Sequence, residues 1–222
     1  MKKGVLAILS AALLAVGGGV FVASGTAFAY TICNSTISGP VTLTGPLVVP
    51  KGAYCNLQNV TVSGSVQVQS GGTLNIGDHS SIEGSIQSNT PGVNTTAKPL
   101  GGGGPSSFSI IVCSSFATGP VEISNAPSAV LIGSNDFGCG GQKINNNGST
   151  GSTGVSLTAN HGPTNLDDNH ITGSAGVSGN GGTTAIRDNG ISGNLNCTAN
   201  NPPPTGGGNF AEGSKNGQCS GL

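Results

Sequence analysis

From Tyr30 onward, apolar residues recur at alternate positions in short runs, as in Val60-Thr61-Val62 and Ser65-Val66-Gln67-Val68-Gln69. Alternation with a period of two predicts strands that bury one face. Helical periodicity is not seen beyond the first segment of the chain. The alternation is punctuated by a phrase written twice. Leu166-Asp167-Asp168-Asn169-His170-Ile171-Thr172-Gly173-Ser174 returns 20 residues later as Ile186-Arg187-Asp188-Asn189-Gly190-Ile191-Ser192-Gly193-Asn194. Ile144-Asn145-Asn146-Asn147-Gly148-Ser149-Thr150-Gly151-Ser152, 22 residues before the first, reads as a third copy. Self-similarity at this period predicts a solenoid, in which each copy is one coil and buries its apolar side chains only by stacking on its neighbours.

The phrase has a physical logic. Its leading aliphatic residue (Ile144, Leu166, Ile186) points inward on a short strand and its successor points outward. Asn147, Asn169 and Asn189 fall where the strand must bend, and Asn tolerates the left-handed conformation of a sharp bend. Stacking would bring these amides about 4.8 Å apart, close enough to hydrogen-bond as a turn ladder. This pattern, strongest over residues 130–196, resembles the parallel β-helix repeat in its right-handed form. The resemblance implies an all-β right-handed parallel β-helix of roughly nine coils, at about 21 residues each. Because that fold hosts lyases, hydrolases, adhesins and inert spikes, it leaves function open.

A second phrase occupies residues 30–88. Ile37-Ser38-Gly39-Pro40-Val41 returns as Val62-Ser63-Gly64-Ser65-Val66 and Ile82-Glu83-Gly84-Ser85-Ile86, with a degenerate copy at Ala117-Thr118-Gly119-Pro120-Val121. The last interval is long because it holds residues 89–107, rich in Gly and Pro, which read as an extruded loop or a linker. The expected organisation is therefore N-terminal coils over 30–88, that loop, and coils with Asn-containing turns over 108–196. Residues 197–222, with Pro202-Pro203-Pro204 and Gly206-Gly207-Gly208, depart from the coil pattern and are expected to cap the open end. This tail is similar to those of small secreted actinobacterial β-helix proteins of unassigned function, a resemblance that implies nothing about activity.

Residues 1–29 read as a secretory signal peptide. Lys2-Lys3 precede an apolar run from Val5 to Val22, and Ala27-Phe28-Ala29 forms a small-residue cleavage site. An uncleaved anchor is the rival reading, but Gly17-Gly18-Gly19 interrupts the run. The chain after cleavage would carry five basic residues against eight acids, which gives no basis for binding nucleic acid or an anionic membrane. Six cysteines follow the signal, an even number suited to disulfides in an oxidising compartment. Cys33 and Cys55 are 22 apart, Cys113 and Cys139 are 26 apart, and Cys197 and Cys219 are 22 apart. Each interval is about one coil, so sequential pairing places both partners on neighbouring coils within bonding reach.

Candidate chemistry is sparse. Asp168 and Asp188 hold the same repeat position, with His161, Asp167, His170 and Arg187 nearby. Close carboxylates can share a proton, bind calcium or flank a glycosidic bond, and His170 or Arg187 could assist. Polygalacturonase-type enzymes of this fold carry N-T-D, D-D, G-H-G and R-I-K elements; only Asp167-Asp168 matches here, and it lies within a turn phrase. Asp and Asn in such turns commonly serve the backbone. The histidines lack a nucleophile context, no glycine run ends as a phosphate loop, and no C-x-x-C metal spacing exists. The expectation is an exported, non-enzymatic surface or matrix protein needing no cofactor, whose outward Gln67, Gln69, Gln87 and Asn194 meet cell-wall polysaccharide or surface proteins. A small polysaccharide lyase or hydrolase using Asp168 and Asp188 is the alternative.

Overall fold

In the computed structural model, the described residues are 30–77, 79–96, 106–133, 143–145 and 153–222. They form an all-β parallel solenoid of about 8 turns, and no helix occurs among them. One coil illustrates the plan. Thr164–Asp167 is a strand on the first face, and the chain bends at Asp168-Asn169. His170–Thr172 then runs along the second face, bends at Gly173, and leads into Ser174–Ser178 on the third. A last bend at Gly179-Asn180 returns it to the first face, where Thr184–Arg187 stacks on Thr164–Asp167.

The third face is a sheet of nine strands from Thr31–Ile32 to Lys215–Gly217. The first and second faces belong to one sheet of 14 strands. They join because Tyr54–Val62 is long enough to turn a corner, pairing with Thr73–Gly77 on one side of it and with Ser81–Ile82 on the other. Nine stacked strands make eight steps, one fewer turn than chain length predicts. The reason lies in two long coils. Ile86, Val121 and Val155 are register partners but stand 35 and 34 residues apart, whereas Val155, Ala175, Leu195 and Lys215 follow at intervals of 20.

Inward residues stack in columns. Leu47, Val66, Ile86, Val121, Val155, Ala175 and Leu195 form one on the third face, all fully buried. Leu57, Ile76, Val112, Ile132, Leu166 and Ile186 form another on the first. Each buried aliphatic side chain contributes about 1.5–3 kcal/mol relative to exposure. Outside the first face, a smaller cluster of Phe108, Ile111, Cys113, Ala129 and Leu131 is also buried, with Tyr54 set edge-on to Phe108 at 6.1 Å.

Register corrects the phase of the repeats. Ile144 lies opposite Ile171, not at the level of Leu166, whose partners are Ile132 and Ile186. The ladder place expected for Asn147 rested on that phase; Asn147 itself lies outside the described residues. Ile37 lies opposite Leu57, and it is Leu43 that faces Val62. The second-face column is thus Leu43, Val62, Ile82, Ala117, Ile144, Ile171, Ile191 and Ala211. The two phrases are therefore the front and back of one repeat. Behind this column the glycines stack so tightly that a Cβ on Gly84 would lie 2.7 Å from the Gly64 carbonyl carbon, and one on Gly193 2.8 Å from that of Gly173. Only glycine fits there.

Two amide ladders pin the corners of the C-terminal coils. In the first, the backbone N–H and Nδ2 of Asn169 donate to Asn189 Oδ1 at 3.0 and 2.8 Å, and those of Asn189 donate to Asn209 Oδ1 at 3.2 and 2.8 Å. The second, not foreseen from the sequence, runs through Asn160, Asn180 and Asn200 and ends on Gln218 Oε1. The six asparagines of the ladders are nearly inaccessible to solvent, while Gln218 is half-buried. Each ladder satisfies backbone donors that a bend would otherwise strand.

The tail also differs from expectation. Thr205–Gly207, Phe210–Ala211 and Lys215–Gly217 stack on the preceding coil at all three faces, so residues 205–217 are a further coil. Its phrase, Gly208-Asn209-Phe210-Ala211-Glu212-Gly213, matches Asp188-Asn189-Gly190-Ile191-Ser192-Gly193 with glycine as the left-handed residue. Disulfides stand at both ends of the core. Cys33 is bonded to Cys55 and Cys197 to Cys219, with Cα atoms 5.3 and 5.2 Å apart, and all four residues are buried. Cys139, the expected partner of Cys113, lies outside the described residues.

Candidate functional site

The corner that follows the first face collects the ionisable residues singled out by the repeats. Asp168 and Asp188 take the left-handed conformation, at φ 55° and 52°, on successive coils. Their backbone N–H groups donate to Arg187 O and Gly207 O, both at 3.0 Å. Asp167 lies opposite Arg187 in the ladder, buried apart from a few per cent of its surface. His170 opens the second-face strand, exposed, between Lys143 on one side and Gly190 on the other. Asp188 packs its carboxylate close over Gly208 of the next turn. The four candidates Asp168, Asp188, His170 and Arg187 are therefore brought onto one edge of two adjacent coils. They are held there by the geometry of the bend. His161 is exposed at a different corner, where its N–H donates to Ala126 O at 2.8 Å, and His79 is an exposed turn residue at φ 63°. Among the described residues, no three His, Cys, Asp or Glu side chains gather closely enough to hold a metal ion.

A concave feature formed by described residues lies elsewhere, on the outside of the third face. A groove of about 580 Å³ crosses four successive strands, Val66–Val68, Ile86–Asn89, Val121–Ser124 and Thr153–Thr158. Its origin is the pleat. On each strand residues i and i+2 point outward, about 6.6 Å apart, and parallel stacking repeats both every ~4.8 Å. One wall is Gln67, Gln87, Glu122 and Ser156, which are register partners. The other is Gln69, Asn89, Ser124 and Thr158. Val68, Ser88 and Ile123 form the floor between them. The trough thus runs along the solenoid axis, perpendicular to the strands. Beyond Ser156 the first wall drops to Gly176, where the trough opens out.

Hydrogen bonds tie the walls lengthwise. Gln87 Nε2 donates to Glu122 Oε2 at 3.0 Å, and Ser124 Oγ and Asn125 Nδ2 both donate to Asn89 Oδ1, at 3.1 and 2.8 Å. Among the described residues, the lining is amide and hydroxyl over an apolar Val68 and Ile123, with one carboxylate, Glu122, and no Lys, Arg or His. None of Asp168, Asp188, His170 and Arg187 reaches it. Alternation alone marks Gln67, Gln69 and Gln87 as outward. Glu122, Ser124, Ser156 and Thr158 were missed as their neighbours, although Val121-Glu122-Ile123-Ser124 carries the same signal, because two insertions separate them in sequence. Away from the groove, burial pushes the Tyr54 phenol above the ordinary tyrosine range, while the side chain of Asn75 pulls it the other way.

No protein family, curated protein or solved structure matches this chain.

Proposed function

We propose that this protein is an exported, non-catalytic β-solenoid that holds an extracellular polysaccharide in the third-face trough. The trough itself carries the reading. It repeats at the strand spacing and presents amides and hydroxyls from Gln67, Gln69, Gln87, Asn89, Ser124 and Thr158 to a linear ligand. Such groups exchange hydrogen bonds with sugar hydroxyls, and repetition along the axis lets weak contacts add. Two disulfides are the chemistry of an oxidising compartment, in keeping with export. The fold's rigidity supports binding without closure, since the walls are anchored on strands.

Affinity electrophoresis of the mature chain through gels containing soluble polysaccharides tests this. Retardation is expected, and the double variant Gln87→Ala/Asn89→Ala is expected to lose it while keeping its melting temperature within a few degrees. Retardation unchanged in that variant would sink the reading. The competing activity, a lyase or hydrolase working through Asp168 and Asp188, predicts release of unsaturated or reducing ends that stops in Asp168→Ala.

A further inference from the structure

The charge inside the trough is informative about which polysaccharide fits. Glu122 sits in one wall, third of four stacked residues, with Gln87 Nε2 on its Oε2. Among the described residues, the wall and floor hold no cationic side chain to neutralise a second negative group. We infer that the trough selects a neutral, hydroxyl-rich polysaccharide and rejects polyuronates, with Glu122 as the specificity-determining residue. This rests on the trough being the binding site. A carboxylate only accepts hydrogen bonds, so its second oxygen takes a sugar hydroxyl as a charge-assisted acceptor. A uronate laid along the same path brings its own carboxylates past Glu122, and no cationic side chain among the lining residues offsets the repulsion. The flanking amide of Gln87 is already committed to Glu122, which orients that carboxylate and leaves the amide less able to serve an anionic ligand.

The test measures binding of a soluble linear glucan and of polygalacturonate of matched length, in EDTA, at low and high salt. The wild-type chain should bind the glucan at least about five-fold more tightly at low salt, the scale of one like-charge contact near 4 Å in water. The preference should shrink in high salt as the charges are screened. Glu122→Gln keeps the shape of the side chain and should abolish most of the preference, chiefly by raising polygalacturonate affinity. Equal wild-type affinities, or a preference unaltered by Glu122→Gln, would overturn the inference while leaving trough binding intact. If Gln87→Ala/Asn89→Ala does not weaken binding of either polymer, or neither polymer binds, the trough reading itself fails and the selectivity goes with it.

Discussion

The N-terminal and C-terminal coils solve the same corner problem differently. At the bend after the first face, the residue behind the left-handed position is Val60, Ser80 and Ser115 in the early coils, but Asn169, Asn189 and Asn209 in the late ones. At the bend after the third face the early coils use Ala53, Gly72, Pro91 and Ala126, and the late ones Asn160, Asn180 and Asn200. A stacked amide must meet the next amide at hydrogen-bond distance, so a ladder fixes the register of successive corners. Between the ladder asparagines the interval is 20 residues each time, and the closing step from Asn200 to Gln218 is 18. The long coils lie before them. The stack is therefore clamped at one end and tolerant of insertion at the other, and the trough is built across the tolerant part.

The sharpest way to break this contrast is to remove one rung from each end. Asn189→Ala deletes bonds to Leu166 O and Asn209 Oδ1 and strands the buried backbone N–H of Asn169, whose Nδ2 keeps Ile132 O and Asp167 O. At about 1–3 kcal/mol for the stranded donor and about 1 kcal/mol for each of the two deleted hydrogen bonds, we expect a loss of about 3–5 kcal/mol in urea unfolding. Ser80→Ala loses only the hydroxyl that accepts from Val60 N–H and donates to Gly77 O, and should cost about 1–2 kcal/mol. Equal losses would mean that the ladder contributes nothing beyond ordinary capping.

Opening the two terminal disulfides compares the ends directly. Each closes a 22-residue span, so the chain-entropy argument assigns both about 3 kcal/mol. Cys33→Ala/Cys55→Ala and Cys197→Ala/Cys219→Ala should therefore lower stability alike in denaturant titrations. A much larger loss at the C-terminal end would show that the ladders need the Cys197–Cys219 bond to hold Gln218 in place.

A smaller effect, of opposite sign, is expected at Ser88. It occupies the inward column between Val68 and Ile123, and its hydroxyl is buried without a hydrogen-bond partner. Ser88→Ala should stabilise the fold by about 1 kcal/mol, since it removes an unsatisfied polar group. Unchanged or reduced stability would show that the hydroxyl is satisfied in solution.

The smallest effect concerns pH. The Tyr54 phenol has its folded pKa raised above the unfolded value by burial. The folded state then keeps a proton that the unfolded state has released, so this stability is complete below about pH 10 and is lost as pH rises through the folded pKa. Thermal melts from neutral to strongly alkaline pH should show a steeper decline in the wild type than in Tyr54→Phe. Parallel declines would remove Tyr54 as a source of alkaline sensitivity.

The candidate site was half legible. Asp168 and Asp188 could be placed on neighbouring coils from the 20-residue repeat alone, because both lie within one uninterrupted ladder. The trough could not. Its walls join residues from coils separated by 34 and 35 positions, and only pairing brings them into register. The second ladder was invisible for a subtler reason. Ala159-Asn160, Gly179-Asn180 and Ala199-Asn200 share only the Asn, and Asn is common throughout this chain.

By itself the sequence determined what is local. Alternation set which side chains face inward on strands such as Val66–Val68 and Val121–Ser124, but not on Phe108–Val112 and Ala129–Gly133, which are buried throughout. Asn and Gly marked bends because few residues accept their backbone angles. The repeat length showed that the coils stack, and cysteine spacing showed that each pair spans about one coil. Phase between coils was a different matter. Ile144 resembles both Leu166 and Ile171 in chemistry, and an aliphatic residue suits either register position. What separates them is whether whole strands, corners and glycine contacts align across the interface, a sum over many residues far apart in the chain. Only the tertiary structure decided that register. With it came the shape of the trough and the lone carboxylate inside it.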